Sequence, residues 1–154
     1  MSDVTVHLIR HAKAESRSAW TTDDSLRPLS DKGLRQSAAL ADQCADLGLR
    51  RVLSSPAVRC RQTVEPLAER IGVPVEDAAE LAEGAALGPA LALLAGLTVE
   101  AALSSHGDLI PEIVDHLAAE GMRLEGPDRC QKAAIWTLER SGGRFVVGRY
   151  SPPP

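Results

Sequence analysis

Aromatic residues are nearly missing from this chain of 154 residues, which has only Trp20, Trp136, Phe145 and Tyr150. That excludes a surface that stacks unpaired bases, because such platforms are built from aromatic rings. An excess of positive charge is missing too. Seventeen Lys and Arg against 21 Asp and Glu leave a net charge of −4, so no basic footprint for nucleic acid exists. Cysteine is scarce: Cys44, Cys60 and Cys130 are odd in number and contain no C-x-x-C pair. Neither a zinc knuckle nor a redox dithiol follows, and the three thiols read as small, reduced core residues. No stretch approaches the ~18 apolar residues of a membrane span. The opening MSDVTVHLIRH has neither the basic region nor the apolar core of a signal peptide. These absences predict a cytoplasmic protein forming one domain over residues 1–154, with no membrane and no nucleic acid among its partners.

What is present is an alternation. Residues 4–9 (VTVHLI) are compact and β-branched, as in a strand. Residues 12–29 are a polar stretch too long for an ordinary connection, and such loops are more often functional than idle. Ser30 then reads as an N-cap. Leu34, Ala38, Ala41 and Ala45, widened by Leu40 and Leu47, predict the buried stripe of a helix that ends at Gly48. Residues 51–54 predict a second strand, and Pro56 the first position of a second helix closed by Gly72. Its inner face is Cys60, Val64, Leu67, Ala68 and Ile71. Further strands are expected at 73–75 and 98–105, and helices at 89–95 and 109–119, while 78–88 stays open between loop and helix. Residues 133–139 and 144–150 flank Ser141-Gly142-Gly143, a hairpin signal. The tail 151–154 is expected outside any ladder.

Alternating strands and helices predict an α/β three-layer sandwich, a mostly parallel central sheet flanked by helices. In such folds ligands gather at the carboxyl ends of strands. Those ends carry Arg10-His11, Ser54-Ser55 and Ser105-His106. A guanidinium beside His11 would favour its neutral, nucleophilic form, and the arginine fork matches phosphate oxygens. The junction of residues 54–63 offers free backbone N–H groups at a helix start, with Arg59 one turn in. Arg61 points elsewhere. His106 is followed by Gly107, which permits close backbone approach. Each motif alone also reads as a strand end with a surface charge. Three of them on three strand ends are poorly explained by packing.

In order, LIRHAKAE (8–15), RPLSDKGLRQ (27–36), RVLSSPAVRCRQT (51–63) and SSHGDLIP (104–111) resemble the histidine phosphatase superfamily, which includes phosphoglycerate mutases and acid phosphatases. The short, cap-less SixA-like phosphohistidine phosphatase branch is the most similar. LIRHAKA and VRCRQT also resemble the phosphatase-like half of some two-domain Nudix hydrolases, although no Nudix segment is present. The resemblance implies a phosphoglycerate mutase-like fold and a phosphohistidine intermediate on His11. Arg10 and Arg59 would clamp the phosphoryl oxygens, His106 would stabilise the transition state, and the Gly107 N–H would assist. Leu81-Ala82-Glu83, with Gly88 beyond, resembles the segment that supplies a general acid. Glu83 is thus the candidate and Glu80 its rival, and both also read as solvated charges. Lys13, Ser16 and Arg17 are candidate substrate contacts. No metal and no cofactor are implied. Ala12 replaces the family's glycine: it is strained if that position needs a positive φ and adequate if it needs only a small side chain. His7 reads as a satisfied buried histidine, and His116 has no assigned role.

The expected activity is hydrolysis of a phosphorylated substrate, either a phosphoprotein or a small phosphoester. Little chain remains between 72 and 99 or between 119 and 132 to build a mutase-type cover. A small-molecule or nucleotide phosphomonoesterase or phosphoglycerate mutase-like enzyme of the same superfamily, and a non-catalytic phosphate-binding module, are the alternatives. A metal-dependent hydrolase using His11, Glu15, His106 and Asp108 lacks a completed ligand shell.

Overall fold

The computed structural model describes residues 3–154; Met1 and Ser2, the first residues of the segment read as lacking a signal peptide, lie outside it. Seven strands form one sheet: β1 (Thr5–Arg10), β2 (Arg51–Ser54), β3 (Val75–Asp77), β4 (Ala101–Ser105), β5 (Arg123–Glu125), β6 (Ile135–Ser141) and β7 (Arg144–Ser151). Their order is β3-β2-β4-β1-β6-β7-β5. Only β6 runs against the others, pairing antiparallel with both β1 and β7, so the sheet is mostly parallel. Four helices cover it: α1 (Asp31–Cys44), α2 (Val58–Ile71), α3 (Leu87–Ala95) and α4 (Leu109–Ala119).

The strand pleat divides the core in two. Leu53, Ala101 and Leu103 face a cluster completed by Ala90 and Leu94 of α3 and by Ile110, Ile113 and Val114 of α4. Val52, Ile9 and Ala102 face the opposite cluster, with Leu40, Ala41 and Cys44 of α1 and Val64, Leu67 and Ala68 of α2. This is the expected three-layer α/β sandwich. No helix among the described residues is long and apolar enough to cross a membrane.

Local chemistry explains where the elements begin and end. Ser30 caps α1, its side chain accepting from the Gly33 N–H, and Gly72 ends α2 in the left-handed conformation. Gly142 and Gly143 both take positive φ in the hairpin turn. Several boundaries differ from expectation. The buried stripe of α1 is Gly33, Ser37, Leu40, Ala41 and Cys44, while Leu34 and Leu47 are exposed. Gly33 fits against the Lys13 carbonyl, which turns the helix by about one position. α2 starts at Val58 with Ala57 as N-cap, leaving Pro56 outside it. β3 lies two residues later than predicted, and β4 starts at Ala101 rather than at residue 98. Ser151 does join the ladder, opposite Ile135. The edge strand β5 carries too short a pattern to be read from sequence.

Candidate active site

The carboxyl ends of β1, β2 and β4 lie side by side at the centre of the sheet, with Arg10 in register with Ser105 and Ser54 with Ser104. Two backbone bonds continue this stitching beyond the strands, His11 N–H to the Ser105 carbonyl (3.0 Å) and Ser55 N–H to the Ser104 carbonyl (2.9 Å). His11, Ser55 and His106 therefore leave the sheet together. The His11 and His106 rings meet edge to face with centroids 5.5 Å apart.

His11 is buried, and its Nδ1 lies 2.8 Å from the Ala12 carbonyl oxygen. A carbonyl only accepts, so Nδ1 carries the proton and Nε2 presents a lone pair. Burial is the largest influence on its proton affinity, which falls to about 3; Arg59, His106 and Arg10 push the same way, in that order. The ring is neutral, as expected, although desolvation matters more than the neighbouring arginine. Ala12 has no positive φ, is fully buried, and donates its N–H to Thr63 Oγ1 at 2.9 Å. A small side chain is all this position needs.

Arg10 lines a cavity of about 390 Å³ together with His11, His106 and Gly107. Its Nη1 donates to the Cys130 carbonyl at 2.6 Å. Gly107 lies flat against its guanidinium, where a Cβ would stand 2.5 Å from Cζ. Arg59 is placed differently. Its side chain is 2% exposed, and it donates to the Asp24 carbonyl (2.9 Å) while Nη2 meets Asp24 Oδ2 (3.2 Å) and Glu83 Oε2 (3.1 Å). It faces an adjoining hollow that shares Glu83 and His106 with the first. The Nε atoms of Arg10 and Arg59 are both buried with no hydrogen-bond partner among the described residues. Such donors are rare in folded proteins.

His106 bonds Ser55 Oγ through Nε2 at 2.8 Å, with Cys60 Sγ 3.4 Å from the same nitrogen. Burial and then Arg59 bring its proton affinity down to about 4, against the opposing pull of Glu83, Asp108 and Asp24. Glu83 sits at the cavity wall between Arg59 and Arg17 (3.4 Å), whereas Glu80 does not line the cavity. Lys13, Ser16 and Arg17 line it, Ser16 Oγ being paired with Ser18 Oγ at 2.8 Å. His7 is buried against Thr137 Oγ1 (3.1 Å), and His116 pairs with Glu120. Arg61 pairs with Asp77 away from the cavity. Among the described residues no three His, Cys, Asp or Glu side chains gather in a metal-binding arrangement.

Four participants were not foreseen. Asp24, on a short 3-10 turn (Asp24–Leu26), reaches Arg17, Arg27 and Arg59 at once. Ser55 holds His106, and Lys132 and Arg27 line the cavity. The only sequence signal for Asp24 was the excessive length of its loop. Ser55 stood on a predicted strand end without being given a task.

The arrangement sets a neutral imidazole in a cavity lined by guanidinium and ammonium groups, which is chemistry for an oxyanion. Residues 6–89 match the model of the histidine phosphatase superfamily (branch 1), and the chain belongs to that superfamily. It is 32% identical to the phosphohistidine phosphatase SixA of Escherichia coli over 157 residues, covering 96% of this chain and 93% of that protein. It is also 30% identical to an 8-oxo-(d)GTP phosphatase of Mycolicibacterium smegmatis over 97% of its length, but spans only 48% of that relative. A solved structure of the protein histidine phosphatase SixA complexed with tungstate superposes with a TM-score of 0.76 at 26% identity, covering 96% of this chain and 94% of that one.

Proposed function

We propose that this protein is a phosphatase that takes a phosphoryl group onto His11 Nε2 and passes it to water, with phosphohistidine on another protein as its substrate. One observation carries the reading: the Ala12 carbonyl fixes the His11 tautomer so that a neutral Nε2 is presented in a cavity lined by Arg10, Arg27, Lys13 and Lys132. Likeness to the phosphohistidine phosphatase SixA, whose structural counterpart holds the tetrahedral oxyanion tungstate, supports it.

In the first step Nε2 attacks phosphorus, and the bond from phosphorus to the substrate ring nitrogen breaks. The departing imidazole leaves neutral, because its other ring nitrogen has taken a proton from solvent. The new phosphohistidine carries positive charge on its ring, and the Ala12 carbonyl accepts a stronger hydrogen bond from Nδ1. Arg10, His106 and, on reorienting, Arg59 donate to the phosphoryl oxygens, where charge is spread in the transition state. In the second step water attacks phosphorus, its proton passes to Glu83, and the bond to His11 breaks to restore the neutral ring. Glu83 is a carboxylate at the cavity wall, where an acceptor for the water proton is needed. No metal takes part in this scheme, so EDTA leaves the rate unchanged. Short connections between β3 and β4 and between β5 and β6 leave the intermediate open to water, favouring hydrolysis over mutase transfer.

A second reading, a nucleotide phosphatase, is favoured by the match to the 8-oxo-(d)GTP phosphatase. Against it, the cavity wall carries no Phe, Tyr or Trp and no large apolar side chain on which a base could stack. A panel of phosphohistidine protein, sugar phosphates and nucleotides separates the two. Incubation with a labelled phosphoryl donor tests the shared mechanism: acid-labile label forms on the wild type and not on His11→Ala. Label or turnover surviving in that variant overturns it.

A further inference from the structure

Beyond the phosphoryl pocket, the cavity has a rim on which cations outnumber carboxylates. Lys13, Arg17 and Lys132 line it with Arg10 and Arg27, against three carboxylates, Glu15, Glu83 and Asp108. Two of these are engaged: Glu83 pairs with Arg17 and Arg59, and Asp108 accepts from the Gly84 N–H at 2.8 Å. Among the described residues neither the Lys13 nor the Lys132 ammonium has an ion-pair partner. Burial and the charges of Arg10, Arg27, Lys13 and Arg17 all lower the proton affinity of Lys132. Like charges crowded without counter-charges favour an anion from outside the chain.

Lys132 is also held firmly in this crowd. The next residue, Ala133, is fully buried with φ +67, the only non-glycine residue with a positive φ among those described. That conformation is unfavourable for an L-residue. It persists because the Ala133 N–H meets the carbonyls of Arg10 (3.1 Å) and His11 (3.3 Å). The backbone carrying the candidate nucleophile thus fixes the chain that carries Lys132.

We infer that Lys132, with Lys13 and Arg17, forms an outer subsite for carboxylates flanking the phosphohistidine, so that the preferred partner is an acidic face of a phosphoprotein. The inference rests on the phosphohistidine reading and deepens it. Lys132 is the specificity-determining member: Arg17 is shared with Glu83 and Asp24, and the Lys13 backbone also anchors the start of α1. The aliphatic stem and mobile ammonium of lysine suit carboxylates in varied positions better than a rigid fork would.

The test uses two phosphohistidine peptides, one flanked by Asp and Glu and one by Ala, with the full chain. The wild type is expected to show a KM about tenfold lower for the acidic peptide, as two or three exposed charge pairs would give. Lys132→Gln should bring the ratio of the two KM values to about 3–5, and Lys132→Glu to about 2 or below. Lys32→Gln, on the exposed face of α1 outside the cavity, should keep the wild-type ratio. An unchanged ratio in Lys132→Gln, or equal KM values in the wild type, overturns the subsite. A nucleoside diphosphate turned over better than its monophosphate, with that preference lost in Lys132→Gln, would assign the rim to a second phosphate and overturn the carboxylate reading. Labelling of wild-type His11 by inorganic phosphoramidate reports the phosphoenzyme separately, so the failure of either reading is distinguishable.

Discussion

The Gly107 Cα lies against the face of the Arg10 guanidinium, so close that a methyl group there would stand 2.5 Å from Cζ and 2.7 Å from Nε. Gly107 has no positive φ, so backbone freedom is not the reason for a glycine here. Arg10 needs the space. Gly107→Ala should push the guanidinium off its perch on the Cys130 carbonyl while leaving β4 and α4 intact. We expect kcat/KM to fall about 100-fold, because misplacing a positioned donor costs that much. Circular dichroism should be unchanged. Full activity in Gly107→Ala would show that Arg10 does not need its observed position.

Two of the four histidines should ignore neutral pH. His11 and His106 titrate at about 3 and about 4, chiefly because burial disfavours the imidazolium, and His7 is lowered for the same reason. In NMR titrations the ring resonances of His11 and His106 should not move between pH 8 and 5. The consequence for stability has a definite sign. Below pH 6.5 the unfolded chain binds protons at these rings that the folded chain refuses, so stability falls with pH. Above pH 6.5 they add no pH dependence. Between pH 6.5 and 5 each ring accounts for at most about 2 kcal/mol. Urea unfolding at the two pH values should show a smaller loss in His106→Ala than in the wild type. An equal loss would mean that the ring charges freely in the folded state.

How much of this was legible in the sequence depends on range. The strand ends bearing Arg10-His11 and Ser105-His106 were readable because a β-branched run and the polar pair after it are local. The Ser30 cap and the Gly142-Gly143 turn were equally local. What could not be read were contacts of the long loop. Asp24 gathers Arg17, Arg27 and Arg59 only after residues 12–29 fold over α2, and no periodicity encodes that. The same loop explains the misplaced stripe of α1. Leu34 looked inward by spacing, yet docking of Gly33 against Lys13 leaves it 47% exposed. Arg59 was found on the correct helical turn, but its two carboxylate partners come from distant segments.

Glu83 should matter according to the leaving group. Its carboxylate touches Arg59 and Arg17 at the wall of the cavity. Phosphohistidine needs no acid from the protein, since its second ring nitrogen takes a solvent proton. An alkyl phosphoester releases a strongly basic alkoxide and does need one. Glu83→Gln should therefore lower kcat for an alkyl phosphoester by about 100-fold or more and for phosphohistidine by about tenfold or less. Product phosphate should bind tighter, because a negative charge beside Arg59 has gone. Equal losses on both substrates would remove Glu83 from any role in protonating the leaving group.

Two helical glycines should respond to alanine with opposite signs. Alanine usually stabilises a helix relative to glycine by roughly 0.5–1 kcal/mol, by restricting the unfolded chain. Gly88, in the first turn of α3, has no positive φ and nothing within 4 Å of a Cβ, so Gly88→Ala should follow that rule. Gly33 sits in the first turn of α1, where a Cβ would overlap the Lys13 carbonyl oxygen and stand 2.9 Å from its carbon. That carbonyl cannot retreat freely, because it accepts from the N–H (2.9 Å) and the hydroxyl (3.0 Å) of Ser30. Gly33→Ala must shift either the helix start or the loop, at about 1–3 kcal/mol. Thermal unfolding of both variants measures the contrast directly. Because Lys13 lines the cavity beside His11, Gly33→Ala should also raise KM, an effect Gly88→Ala has no route to produce. A stabilised Gly33→Ala protein with unaltered KM would mean that the loop and the helix start are not locked together.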